Sequence, residues 1–318
     1  MRPLLLLLLV LTVPCAAVAQ TTADGIAQFE ARRYAEARTT LEAAAKADAK
    51  DARAAYYLGR IALVEGNAGK AEDWLEHAVK LDGRTASYHH WLGRAYSREA
   101  LRAGKFRQMK LAGRIRDEFR TAVALDPDDI DARFDLLQYY LVVPGIMGGS
   151  EDRAREQAAE IRRRNEFRSH LAAGAIAERT GDEAGAEREY EAAVASYPDS
   201  LAGSYALGSH YARRGDWERA FAVCERLIAE RRDPVAKYYF GRVASLSGQR
   251  LDRGAELLRE YLGRRPDDTD PSLASAHYRL GLIYEKQGKR DLAKQEYATT
   301  VQLDPKQSEA KEGLKRVQ

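Results

Sequence analysis

Glycine recurs in this chain with a constant neighbourhood, at Leu58-Gly59, Leu92-Gly93, Ala173-Gly174, Leu207-Gly208, Phe240-Gly241 and Leu280-Gly281. The intervals Gly25 to Gly59, Gly59 to Gly93 and Gly174 to Gly208 are each 34 residues. Twelve residues after most of these glycines stands an alanine, at Ala37, Ala71, Ala186, Ala220 and Ala293. Four further on comes a larger residue: Leu41, Leu75, Tyr190, Cys224 and Tyr297. A period of this length marks one supersecondary unit repeated in series. Two antiparallel helices come close only where small residues meet at their crossing, and large residues one turn away then fill the groove between them. Proline, excluded from helix interiors, gives an independent check. Pro127, Pro198, Pro234, Pro266 and Pro305 fall at unit junctions, Pro271 in a longer junction and Pro144 in a glycine-rich stretch, so none interrupts a predicted helix.

The Gly, Ala and large-residue register, with proline closing several units, resembles the tetratricopeptide repeat, a helix-turn-helix of 34 residues. The resemblance covers essentially all of the chain after residue 20, in about eight units. It implies an all-α fold, a right-handed α-solenoid over residues 20–307, with a capping helix at 308–318. Each unit buries its apolar face only against its neighbours, so the expected shape is a curved, elongated stack.

Two places break the rhythm and enlarge the third and fourth units, residues 86–165. The third holds ten extra residues between Tyr96 and Ile115, which predicts that both its helices run longer by about a turn. This makes a basic spur over residues 98–114 carrying Arg98, Arg102, Lys105, Arg107, Lys110 and Arg114. The fourth holds the stretch YLVVPGIMGGSEDRA, residues 140–154. Its glycines are not a phosphate cradle, because no lysine follows them, no strand precedes them, and Glu151 and Asp152 would repel a phosphate. The stretch reads as an enlarged turn at 144–149, with Ser150 as the cap of the next helix and Ile146 and Met147 at its tip. A longer middle repeat with a PGI-x-GG turn is similar to what some exported bacterial members of the family carry.

The first twenty residues, MRPLLLLLLVLTVPCAAVAQ, predict an export signal over 1–19: Arg2, an apolar run from Leu4 to Val13, then Ala17-Val18-Ala19 before Gln20. The run is about half of what a spanning helix needs, and Pro14 ends it. Cys15 leaves lipid attachment as the alternative, although Pro14 stands in the preceding processing position. The expected location is the periplasm, with secretion or a lipid anchor as the other destinations. After cleavage Cys224 is the only thiol, so no internal disulfide is available and packing must hold the fold. The net charge of +3 becomes +2 without Arg2, which gives no field for wrapping nucleic acid. The membrane is not expected to be spanned, and peripheral association stays open.

No motif for catalysis, cofactor or metal emerges. His89 and His90 are adjacent, so on a helix they point about 100° apart. His89, His170 and His277 share the fourth position of their units and are expected to pack between helices. Cys224 sits in a large apolar slot as a buried thiol. There is no H-E-x-x-H, G-x-S-x-G or C-x-x-C pattern, so no enzyme is expected. The resemblance does imply a concave surface lined by positions 2, 5, 9 and 12 of each unit. Position 5 reads Tyr56, His90, Phe134, Leu171, Tyr205, Tyr238 and Tyr278; position 9 reads Arg60, Arg94, Gln138, Ala175, Ser209, Arg242 and Leu282. These rings either seal the groove between helices or, with Arg60, Arg94, Gln138 and Arg242, form a contact surface. Chaperone-binding relatives hold a terminal carboxylate with lysine at position 5 and asparagine at position 9, and this chain has neither. The expected function is a non-catalytic scaffold binding a protein or peptide, with an acidic group as one option, in that groove. The alternative is a structural subunit of an envelope assembly or enzyme complex, held through Arg98, Arg102, Lys105, Arg107 and Lys110 of the spur and Ile146 and Met147 of the turn.

Overall fold

A computed structural model describes residues 21–318 except 265, 266, 268 and 269. The predicted export signal and Pro266 therefore lie outside the described residues. Among these residues there are helices and no strand. Eight helix pairs follow one another: α1 Thr22–Glu30 with α2 Tyr34–Ala47, α3 Ala52–Val64 with α4 Ala68–Leu81, α5 Ala86–Ala100 with α6 Lys105–Leu125, and α7 Ile130–Val142 with α8 Glu151–Arg164. The second half continues with α9 Glu166–Thr180 and α10 Glu183–Ser196, α11 Leu201–Arg213 and α12 Trp217–Arg231, α13 Pro234–Ser247 and α14 Leu251–Leu262, then α15 Leu273–Lys286 and α16 Arg290–Leu303. A last helix, α17 Ser308–Arg316, covers the end of the stack.

The boundaries have local causes. Asp51, Asn67, Asp129, Ser150, Asn165, Asp182 and Asp216 accept a hydrogen bond from a first-turn backbone N–H of the helix that each begins. The turn inside a unit repeatedly needs a left-handed residue, supplied by Gly66, Gly181, Gly215, Gly248 and Gly288, with φ between 72° and 81°.

Packing follows the glycine register. A Cβ built on Gly25, Gly59, Gly93, Gly174, Gly241 or Gly281 would come within 2.3–2.7 Å of the large residue that the second helix lays across it. Those residues are Leu41, Leu75, Phe119, Tyr190, Leu258 and Tyr297, all buried. Gly208 differs: its nearest neighbour is Val223 Cγ1 at 3.2 Å, not Cys224. Cys224 is buried, and burial pushes its thiol up to about 12. Gly313 of α17 takes the ring of Tyr297 at 2.7 Å from where its Cβ would be, and Arg316 Nε donates to Glu285 Oε1 at 2.8 Å.

The predicted sharing of the ten extra residues between two helices is corrected. α6 takes most of them, running 21 residues where α2 and α4 run 14, while α5 has 15 against 13 for α3. Chain reversal at 101–104 starts α6 early, so its first two turns leave Lys105, Phe106, Met109 and Lys110 exposed.

One superhelical turn brings the two ends of the stack together. Arg32 Nη2 reaches Asp267 Oδ2 at 2.8 Å, Arg102 Nε reaches Asp304 Oδ2 at 2.9 Å, and Lys306 Nζ reaches Glu99 Oε1 at 2.7 Å. Glu99 and Asp304 are both buried in this closure. Each per-unit rotation is small, and the contact is their sum.

Candidate functional site

The wall formed by the first helices of units one to four is built on a chain of stacked and paired groups. The Arg60 guanidinium lies between Phe29 and Trp91, with its carbon 4.6 Å and 4.4 Å from the two ring centroids. Arg94 stacks on the Trp91 ring at 5.0 Å, and its Nε donates to Asp135 Oδ2 at 2.6 Å. His90 Nε2 meets the same Asp135 oxygen at 2.8 Å, and its Nδ1 stands 3.5 Å from Asp129. Burial alone would raise the Asp135 carboxyl, but His90 and Arg94 together hold it below the usual carboxylate range. Burial also works against a charged His90; its bonds to Asp129 and Asp135 prevail and raise its pKa. Guanidinium on ring, ring on guanidinium, then carboxylate makes a rigid wall, because Arg60 and Trp91 are each flanked by two partners and Arg94 is fixed by a ring and a carboxylate.

Beside this wall opens a cavity of 490 Å³ lined by Leu63, Trp91, Arg94, Leu101, Gln138 and Val142. Ile115 and Phe119 form part of its floor. Leu101 is 81% exposed and Val142 is 73% exposed, so two apolar side chains stand at its rim without cover. Apolar lining, a few fixed polar groups and an open mouth suit an extended peptide or a helix edge with an apolar anchor.

The predicted groove residues separate into distinct roles. Arg94 and Gln138 line the cavity, and Arg60 supports it. Tyr56, His90 and Tyr238 are buried, which corrects their placement on the open surface. Tyr238 packs against Tyr239 and Tyr261, with ring centroids 5.5 Å away in each case, because position 5 faces the second helix of its own unit. Phe134 is half-buried beneath the Arg168 guanidinium at 5.5 Å. Tyr205 stacks on Tyr239 at 4.5 Å and donates its hydroxyl to Asp233; burial, then that carboxylate, push its pKa well up. Tyr278 is half-buried against Tyr297 at 6.1 Å. Arg242 is half-buried and pairs with no carboxylate among the described residues.

Trp91 and Asp135 were not singled out from the sequence. Both occupy position 6, and each meets position 9 of the preceding unit: Trp91 takes Arg60, and Asp135 takes Arg94. The signal was present as a spacing of 31 residues, and of 41 across the ten-residue insertion.

The spur is largely committed to the chain itself. Arg102 pairs with Asp304, Arg107 with Glu72 and Glu99, and Arg114 with Glu72 and Glu76. Lys105 and Lys110 are exposed and pair with no carboxylate among the described residues. In the turn, Gly145–Met147 forms one turn of 3₁₀ helix with Ile146 at its exposed tip, while Met147 is half-buried against the core. Gly149 is required there, since a Cβ would lie 1.7 Å from the Val143 carbonyl oxygen. The fourth-position histidines each find a glutamate on the second helix of their unit: His89 with Glu118, His170 with Glu189 and His277 with Glu296. Among the described residues no cluster of three metal-ligating side chains occurs, and no helix is long and apolar enough to cross a membrane.

Profiles of the tetratricopeptide repeat match residues 22–88, 171–237 and 274–307. The unmatched middle contains the enlarged third and fourth units. No curated protein matches the sequence. Among solved structures, a tetratricopeptide repeat protein from Parabacteroides merdae is similar with a TM-score of 0.51 at 14% identity, over 93% of this chain and 96% of that one. Yeast Tom70 is similar with a TM-score of 0.62 at 12% identity, over 91% of this chain and 59% of that one. At such identities the likeness is one of fold. Three matched segments in one register, joined by a continuous stack of the same helix pair, assign the chain to the tetratricopeptide repeat family.

Proposed function

We propose that this protein is a non-catalytic scaffold that seats a segment of a partner protein in the concave groove of units three and four. Tetratricopeptide repeats commonly serve as protein-interaction scaffolds, and this reading locates the contact. The observation that carries it is the 490 Å³ cavity, where uncovered Leu101 and Val142 flank the fixed Arg94 and Gln138. The segment it suits has one or two apolar side chains to cover that rim and a polar group within reach of Gln138. The leader-like residues 1–19 support the periplasm as the place of action in this reading.

A random peptide library displayed on phage tests this directly. Peptides enriched on the full chain should carry apolar anchors. They should lose at least about tenfold in affinity, or about 1.4 kcal/mol, with Val142→Asp, whose side chain is too exposed to disturb the fold. Arg242→Ala, in the other half of the stack, should leave them unaffected. Enriched peptides that ignore Val142→Asp and Leu101→Asp while depending on Arg242 would place the site in the C-terminal half and end this reading.

A further inference from the structure

We propose that the projecting start of α6, with the neighbouring 144–149 turn, is a docking edge for an anionic lipid surface. Phe106 is 91% exposed, Met109 is 56% exposed and Ile146 is 93% exposed. Phe106 and Met109 lie in the first two turns of α6 and Ile146 in the turn before α8, so all three follow the chain reversal inside consecutive units and share one edge of the solenoid. At about 100° per residue, Phe106 and Met109 lie about 60° apart on the outward face of α6, with Lys105 and Lys110 about 40° outside them on either side. The opposite face carries Leu111 and Ile115 into the core, so the outward stripe is held rigidly.

The chemistry of this edge points to lipid. A helix that docks in a protein groove presents anchors over two or more turns, at i, i+3, i+4 and i+7. Here only two anchors are available before Leu111 and Ala112 turn inward, and the third protrusion, Ile146, comes from a different unit. A fluid acyl layer accepts separate protrusions, while a preformed pocket would have to match both loops. Lysines bracketing an apolar stripe suit the headgroup region, where the stems lie along the apolar layer and the ammonium groups meet phosphate. Between residues 98 and 116 the only acid is Glu99, which is buried and already paired. Glu151 and Asp152, beside Ile146, give that turn no net attraction, so the charge recognition rests on Lys105 and Lys110. The basic residues left over by internal pairing are the two whose side chains point where Phe106 and Met109 point.

The edge shares no tested residue with the groove, so either can fail alone. The full chain would be sedimented with vesicles of phosphatidylcholine and phosphatidylglycerol in equal parts, and with vesicles of phosphatidylcholine alone. Binding is expected only to the first, weakening as salt is raised. Phe106→Ser and the double change Lys105→Glu, Lys110→Glu should each lower the bound fraction by about tenfold or more, with circular dichroism unchanged. Phe106→Trp should add an emission component that shifts to the blue on anionic vesicles and is quenched by brominated acyl chains. Four results would overturn the proposal: no binding to anionic vesicles; equal binding to both vesicle types that ignores the variants, as insertion of residues 4–13 would give; retention on polyglutamate beads but not on vesicles, which would assign an acidic protein; or a dimer in the ultracentrifuge that Phe106→Ser dissolves, which would make the edge a contact between copies.

Discussion

Two glycines at equivalent positions should respond in opposite directions to the same substitution. A methyl group on Gly241 would sit 2.3 Å from Leu258 Cγ and 2.6 Å and 2.9 Å from its two methyls. Leu258 is fully buried and Cγ is close to its backbone, so relief requires moving α13 from α14. Overpacking of this kind costs about 3 kcal/mol at its upper range. Replacing glycine by alanine inside a helix returns about 1 kcal/mol, leaving a net loss of about 2 kcal/mol for Gly241→Ala. At Gly208 the same methyl would meet Val223 Cγ1 at 3.2 Å and Cβ at 3.5 Å, a contact that a slight shift relieves. Gly208→Ala should then be neutral or gain up to about 1 kcal/mol. The difference, about 2–3 kcal/mol, corresponds to roughly 4–12 °C in melting temperature if about 150–250 residues of the stack melt together. Thermal melts followed by circular dichroism measure it, and hydrogen exchange should place the damage of Gly241→Ala in the units next to α13. Equal melting temperatures for the two variants, or a larger loss at Gly208, would refute the packing argument.

The closure between the two ends and the histidine pairs give two further tests. Arg102→Ala leaves the buried Asp304 without its guanidinium, at a cost of about 1.5–3 kcal/mol. It should also widen the particle in small-angle X-ray scattering, where an unchanged profile would show that the end contacts do not hold the curvature. For His89, the bond to Glu118 raises its pKa above 6.5 against the effect of burial, with the Gly83 carbonyl and Asp82 acting the same way. A raised folded-state value adds stability below pH 6.5 that fades as pH rises through it. The melting-temperature gap between wild type and His89→Gln should therefore shrink as pH rises above 6.5 and through the folded-state value; a constant gap would show that the pair is neutral throughout. His210 works the other way, since burial lowers its pKa and its contribution is lost as pH falls.

Much of the fold was legible because it is set within one unit. Gly59 and Leu75 are 16 residues apart, they meet inside a single hairpin, and one period fixes both. Ser150 as a cap and Pro234 at the first turn of α13 are equally local. The open surface was harder, because it depends on how one unit turns against the next. Tyr205 is covered by Tyr239 and bonded to Asp233, both of the following unit, and only the step between the two units brings them there. The pairing of Arg60 with Trp91 and of Arg94 with Asp135 belongs to the same class, set by the step between units.

The contact of Arg102 with Asp304 is more remote still, since it sums the rotations of five successive steps and any error in one is carried forward. The ten-residue insertion shows how these levels meet. By starting α6 early it places Arg102, Arg107 and Glu99 against the other end of the stack and the preceding unit, where their charges are paired. The same early start turns Lys105, Phe106, Met109 and Lys110 outward, where all four are exposed. Sequence alone shows a single basic run. The fold divides it by helical phase into an inward half that closes the curvature of the scaffold and an outward half with no partner among the described residues.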